Sequence, residues 1–342
     1  MINVNPKCSD QICSPYISLS LLNYYEQIKS QIVTDNSNDD ISNNYFEDVI
    51  KIVNPYEFIF SKVPGSKFSV SKLKPTTNLF YDLLEIYNNL IIFDSFKSLS
   101  IKSLHISPNY NDSVECYEMF RENSDDESVY APCIRIDNDF SHEKFEYIFY
   151  ETDKNNYFYS LTEILLIILK HQKYNGVCII KINDIFYKPV VDCLYFLSSL
   201  YDKIHITKPS TNNITSFDRY IVCKGFNYDE QSNNYLKVNY LKLLVFLKKL
   251  ENRHINEILG IDVPYYFRNK IDDLNIIIGQ QQIDALDKII SIYKNKNRDD
   301  KIESVKKTNI QKSVIWCEKY KIPCNKFTEK INIFLPIIND II

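Results

Sequence analysis

With 342 residues, 45% of them apolar, the chain is long enough for one large domain or a domain with a substantial appendage. A net charge of −4 excludes a chain that is basic throughout, so any contact with nucleic acid must be a local patch. Nine cysteines without a Cys-x-x-Cys pair argue for reduced, packed thiols rather than a disulfide framework, although Cys8 and Cys13 are near enough to pair, and the five histidines show no zinc spacing.

Residues 1–50 read as a lead-in. Lys7, Ser9 and Asp10 break any signal-peptide pattern, and no run reaches about 18 apolar residues, so the expectation is a soluble, cytoplasmic protein. Leu21, Leu22, Tyr25, Ile28 and Ile32 recur at helical spacing, and a polar acidic loop follows at 35–44. Residues 51–78 have no clear period. They carry Lys62, Lys67, Lys72 and Lys74 among Phe58, Phe60 and Phe68, a mixture that suits single-stranded RNA as well as a plain lysine-rich loop. Phe80–Ile91 reads as a helix.

From Ser103 strands and helices alternate. Strands are predicted at Leu104–Ile106, Cys133–Ile136, Tyr147–Tyr150, Val177–Ile182, Ile204–Thr207 and Tyr220–Cys223, and helices at Ser113–Arg121, Leu161–Leu169 and Val190–Leu200. This order predicts a mostly parallel sheet with helices on both faces. The loop between the last two strands is too short for a helical crossover, so they should pair antiparallel. Beyond Phe226, Leu236–Leu250, Gln280–Ile292, Ile310–Tyr320 and Phe327–Ile342 read as helices and Asp299–Lys307 as a solvated charge run. The chain thus divides into the lead-in (1–50), a sheet domain (51–230) and a C-terminal helical region (231–342).

Lys181 stands inside an otherwise apolar strand, where an ionised group is rare unless paired or functional. It either reaches solvent at the sheet's end or points into a cleft, paired with Asp218. Asp137 falls where a second Rossmann strand presents an acid to a cofactor ribose, and also reads as a plain turn carboxylate. Glu151 and Asp153 read as solvated turn acids or as site residues. No glycine lies between Gly65 and Gly176, where a nucleotide-binding turn belongs. Tyr265-Tyr266-Phe267-Arg268 reads as a core aromatic cluster or a base-stacking group, and Trp316 as core of the tail.

The run from Lys181 through Lys208-Pro209-Ser210-Thr211 to Asp218-Arg219-Tyr220-Ile221-Val222-Cys223-Lys224 resembles the FtsJ-like ribose 2′-O-methyltransferases, in particular viral and eukaryotic members that act on mRNA caps. The resemblance covers about residues 54–226. It implies an α/β fold: a Rossmann-like S-adenosylmethionine-dependent methyltransferase sheet ending in an antiparallel hairpin, here followed by helices. The family holds the ribose with a lysine–aspartate–lysine–glutamate set that favours the 2′ alkoxide for attack on the donor methyl. Carried over, Asp82 of Phe80-Tyr81-Asp82-Leu83 replaces the first lysine of Phe-Phe-Lys-Leu. Asp153, with Glu151 nearby, stands for the aspartate, Lys181 is retained, and Asp218 replaces the glutamate. Ser107-Pro108-Asn109-Tyr110-Asn111 replaces the glycine-bearing Pro-Gly-Gly-Phe turn and, with Asp137, marks the old cofactor side.

These departures imply a degenerate methyltransferase with no cofactor expected and no metal. It would serve as an RNA- or partner-binding subunit of a capping or RNA-modifying machinery, with Lys67, Lys72, Lys74 and Lys208 as RNA contacts. Two alternatives stand beside this reading. One is an active cap 2′-O-methyltransferase using S-adenosylmethionine, with Lys72 or Lys74 supplying the missing cation. The other is a structural virion protein, since the composition and the resemblance together suggest a large DNA virus.

Overall fold

The computed structural model describes residues 2–34, 48–133, 143–228, 233–294 and 299–325. Its centre is a six-stranded sheet. The strands are β2 (Lys102–Ile106), β3 (Glu127–Ala131), β4 (Phe145–Glu151), β5 (Gln172–Ile182), β6 (Tyr201–Thr207) and β7 (Arg219–Phe226). They lie in the order β3-β2-β4-β5-β7-β6. The first four run parallel, and β7 is antiparallel to both β5 and β6. Strand order reverses between β2 and β4, the position where open α/β sheets leave a crevice at their carboxyl edge. This is the α/β sheet with a closing antiparallel pair expected from the residue pattern, and the Rossmann-like methyltransferase architecture that the resemblance implies.

Alternation along the strands sends side chains to two cores. Ile148, Tyr150, Cys178, Ile180, Ile221 and Cys223 pack against the helices Tyr157–His171, Lys188–Leu200 and Asn233–Lys248. Tyr147, Phe149, Val177, Ile179, Tyr220 and Val222 face the helices Leu79–Asn89, Tyr110–Arg121 and Asp299–Lys319. Lys181 and Glu151 share the parity of the second set and so lie on the side of the Leu79–Asn89 helix.

A strand that the residue pattern did not announce forms at Glu127–Ala131 and ends before Pro132, which cannot donate to a ladder; of the strand predicted at Cys133–Ile136 only Cys133 lies among the described residues. The charge run from Asp299, with Asp300, Lys301, Glu303 and Lys307 exposed as expected, also opens the helix Asp299–Lys319, which so begins ahead of the predicted Ile310 and buries Trp316 at its far end. Tyr265 and Tyr266 are exposed rather than core, and Phe267 alone of that group packs inward, edge-on to Tyr195. Asp137 and the helix predicted at Phe327–Ile342 lie outside the described residues.

The lead-in joins the C-terminal region. β1 (Lys7–Ser9) pairs antiparallel with β8 (His254–Glu257), and the helix Leu19–Thr34 packs on the helix Tyr265–Lys294. Arg219, fully buried, ties that long helix to β7 by donating Nη1–H to Asn275 Oδ1 at 2.9 Å. All nine cysteines are free thiols. Among the described residues no helix is long and apolar enough to cross a membrane.

Candidate functional site

The carboxyl edge of the sheet gathers the residues singled out in the sequence. Parallel register sets Glu151 across from Lys181, and Lys181 Nζ meets Glu151 Oε1 at 2.7 Å. Ser107, just after β2, donates its hydroxyl to Glu151 Oε2 at 2.5 Å and accepts the Asn109 N–H at 2.9 Å. Ser107 and Glu151 stand on either side of the strand-order reversal, so their hydrogen bond spans the crevice. Burial pulls the Lys181 ammonium down, but the charge and hydrogen bond of Glu151, with Asp82 and Asp218 beyond, leave it above its ordinary range.

The expected Lys181–Asp218 pair is absent. Asp218 instead meets the exposed Lys154 at 3.3 Å, a surface contact worth little. The reason is register: Glu151 sits directly opposite Lys181, whereas Asp218 precedes Arg219, which pairs with Ile182. Asp153 lies off the cluster, accepting the Asn155 N–H and an Asn156 side-chain N–H in a local turn. Glu151, read as a turn acid, is the carboxylate that matters. Its place depends on the register between β4 and β5, which the residue pattern of either strand alone does not fix.

Asp82 is only 1% exposed. Thr211 Oγ1 donates to it at 2.5 Å, Asn212 Nδ2 at 2.9 Å and Tyr220 OH at 2.8 Å. Burial raises its pKa, while the three donors and the Lys181 charge pull the other way. Glu85, one turn further on, accepts from the Ser210 N–H and hydroxyl and from Trp316 Nε1–H. Two acids of one helix therefore pin the β6–β7 loop, a role with no sign in the residue pattern.

Lys208 belongs to the same loop and points into it. Its ammonium donates to Asn212 Oδ1 at 2.7 Å, Ser216 O at 2.8 Å and Asp218 O at 2.9 Å. Burial, then the Arg219 charge, pull its pKa down to about 7. Lys208 thus serves as an internal tie, which corrects its expected place among surface RNA contacts. Lys62, Lys67, Lys72 and Lys74 are all exposed and make no ion pair with a described carboxylate. Phe68 is exposed beside them, whereas Phe58 is buried and Phe60 packs on Tyr81.

On the β2–β3 side, Tyr110 lies flat on Tyr130, ring centres 4.9 Å apart and planes 12° from parallel. Pro108 is exposed and Asn109 half-buried at the start of the Tyr110–Arg121 helix. Two cavities open elsewhere. One of about 400 Å³ lies among Tyr87, Phe93, Met119 and Phe120, and one of about 260 Å³ at the amino ends of the strands, among Lys102, Glu127, Glu146 and Lys173.

No family model matches the chain. Over 128 residues, 36% of its length, it is 27% identical to a cap-specific mRNA (nucleoside-2′-O-)-methyltransferase 1 of Leishmania braziliensis, covering 31% of that protein. Over 214 residues, 61% of its length, it is 28% identical to a cap-specific mRNA (nucleoside-2′-O-)-methyltransferase 1A of Caenorhabditis briggsae and covers 24% of it. An inactive cap-specific methyltransferase 1B of the same organism is 26% identical over the same 61% of the chain, again with 24% of the relative covered. The chain has an α/β, Rossmann-like methyltransferase fold. It spans between 24% and 31% of the length of these relatives. Among solved structures, human methyltransferase-like protein 13 in complex with SAH aligns over 55% of this chain and 95% of its own, at 11% identity and a TM-score of 0.25. The strand order β3-β2-β4-β5-β7-β6 defines the fold.

Proposed function

We propose that this chain is a catalytically silent, FtsJ-like methyltransferase-fold protein that binds RNA as a subunit of a capping or RNA-modifying assembly. The observation that carries this reading is Asp82. At the position where the family places a cation beside the ribose, this chain buries a carboxylate already holding Thr211, Asn212 and Tyr220. A carboxylate there opposes formation of an alkoxide, and its engaged oxygens cannot act as a base.

The fit of S-adenosylmethionine points the same way. A family-type seat needs a close backbone approach at the first strand's turn and an open crevice beyond it. Here Pro108 and Asn109 supply side chains at the turn, and the Ser107–Glu151 bond spans the crevice. The residues present do not make that seat. Lys62, Lys67, Lys72 and Lys74, with Phe68 exposed among them, support RNA binding through phosphates and one stacked base.

Isothermal calorimetry is the direct test. No heat of S-adenosylmethionine binding is expected, and a dissociation constant near ~1 μM overturns the reading. The active alternative draws on the retained Lys181–Glu151 pair. It requires methyl transfer to capped RNA that disappears in Lys181→Ala. In that alternative Lys72 or Lys74, both exposed, would supply the missing cation.

A further inference from the structure

The helix Asn233–Lys248 turns one face to the core and leaves another uncovered by the described residues. Leu236, Asn239, Leu243, Leu247 and Leu250 are buried, while Val238, Leu241 and Val245 are 42%, 55% and 47% exposed. These three recur at i, i+3 and i+7, which forms a single stripe about 10 Å long at 1.5 Å per residue. At 100° per residue, Lys237 and Lys248 fall on one flank of the stripe and Lys242 and Lys249 on the other. All four lysines are exposed, and none makes an ion pair with a described carboxylate. Residues 233–250 contain no acid, although the whole chain carries a net charge of −4.

We propose that this face docks an acidic amphipathic helix of a partner protein, with aliphatic side chains on the stripe and carboxylates against the two lysine rows. The chemistry of the face selects this occupant. RNA would satisfy the lysines, but the stripe offers it aliphatic groups and no ring for a base to stack on. A bilayer would satisfy both, but a surface-lying helix needs a broad apolar face with aromatic anchors, and the broad face of this helix is already spent on the core. A second copy of the chain would bring lysine rows against lysine rows. An acidic helix with apolar residues at i, i+3 and i+7 matches both features, as helix-in-groove partners do. The proposal stands apart from the sheet-edge site and holds whether or not that site is silent.

The test uses the full chain and a synthetic helical peptide with leucines at i, i+3 and i+7 between two rows of glutamates. Carbene footprinting should label Val238, Leu241 and Val245 in the free protein and lose that label with the peptide. Leu241→Glu, an exposed position whose folding is checked by circular dichroism, should weaken binding about 10-fold or more. Lys237→Glu/Lys242→Glu should do the same, and a lysine-flanked version of the peptide should restore binding to that variant. The proposal is overturned if the free chain is already unlabelled there, or if the peptide binds Leu241→Glu as well as the parent. It also fails if the footprint appears with phosphatidylserine vesicles or poly(U) instead of the peptide, or if Leu241→Glu dissolves a homodimer.

Discussion

Replacing Asp82 by lysine restores the family's residue on paper and breaks the protein in practice. It puts a second ammonium near Lys181 and strands the donors of Thr211, Asn212 and Tyr220 in a site sealed from water. Loss on the order of 3 kcal/mol is expected from the unpaired groups alone, read by urea denaturation, with no gain of methyl transfer. A stable Asp82→Lys chain that methylates RNA would show the position to be free for catalysis. Glu163 offers a second test at this scale. Buried against Tyr150, its carboxyl is raised by burial from 4.5 to about 7, partly opposed by the Tyr150 hydrogen bond. The folded state then holds a proton that the unfolded chain has lost, so this contribution to stability is full below pH 4.5 and fades as pH rises through about 7. Glu163→Gln should flatten the stability–pH curve in that window and leave the protein on the order of 1 kcal/mol more stable than the parent at pH 8.

At the level of elements, β5 carries an irregularity that only glycine permits. Phe145 pairs with Gln172 and Tyr147 with Val177, so residues 173–176 bulge outward, with Asn175 at φ 59°. A Cβ on Gly176 would lie 2.2 Å from Gln172 Nε2 and 2.8 Å from two carbonyl oxygens. Gln172 in turn joins Phe145 O to the Tyr201 hydroxyl. Gly176→Ala should therefore cost about 2–3 kcal/mol in a denaturant melt, more than its change in backbone propensity. Apart from β3, the strands and helices from 102 to 226 were legible because apolar residues alternate or recur cleanly there. β3 was missed because Glu127-Ser128-Val129-Tyr130 lies at the sheet's edge, half-exposed and without an apolar run. β1 and β8 were missed because strands this short, three and four residues, have no period to read. Lys181 was legible as an ion in an apolar strand. Its partner was not, since pairing depends on register between strands some 30 residues apart in the chain.

For the molecule as a whole, a net charge of −4 means that RNA affinity must come from a local lysine patch, and the proposed one is the 62–74 loop. Changing Lys62, Lys67, Lys72 and Lys74 together to glutamine should weaken binding to single-stranded RNA and lower the log–log salt slope by about 3, as fluorescence anisotropy would record. An unchanged slope would move the RNA surface elsewhere. The pairing of β1 with β8 carries a different consequence, one of time. Lys7 and Glu257 are bonded across 250 residues of chain. At ordinary translation speeds the first strand leaves the ribosome roughly ten to fifty seconds before its partner exists. Throughout that interval its edge is open and Val4, Ile17 and their neighbours lack cover, so the nascent chain is a natural client for a chaperone until the second half arrives.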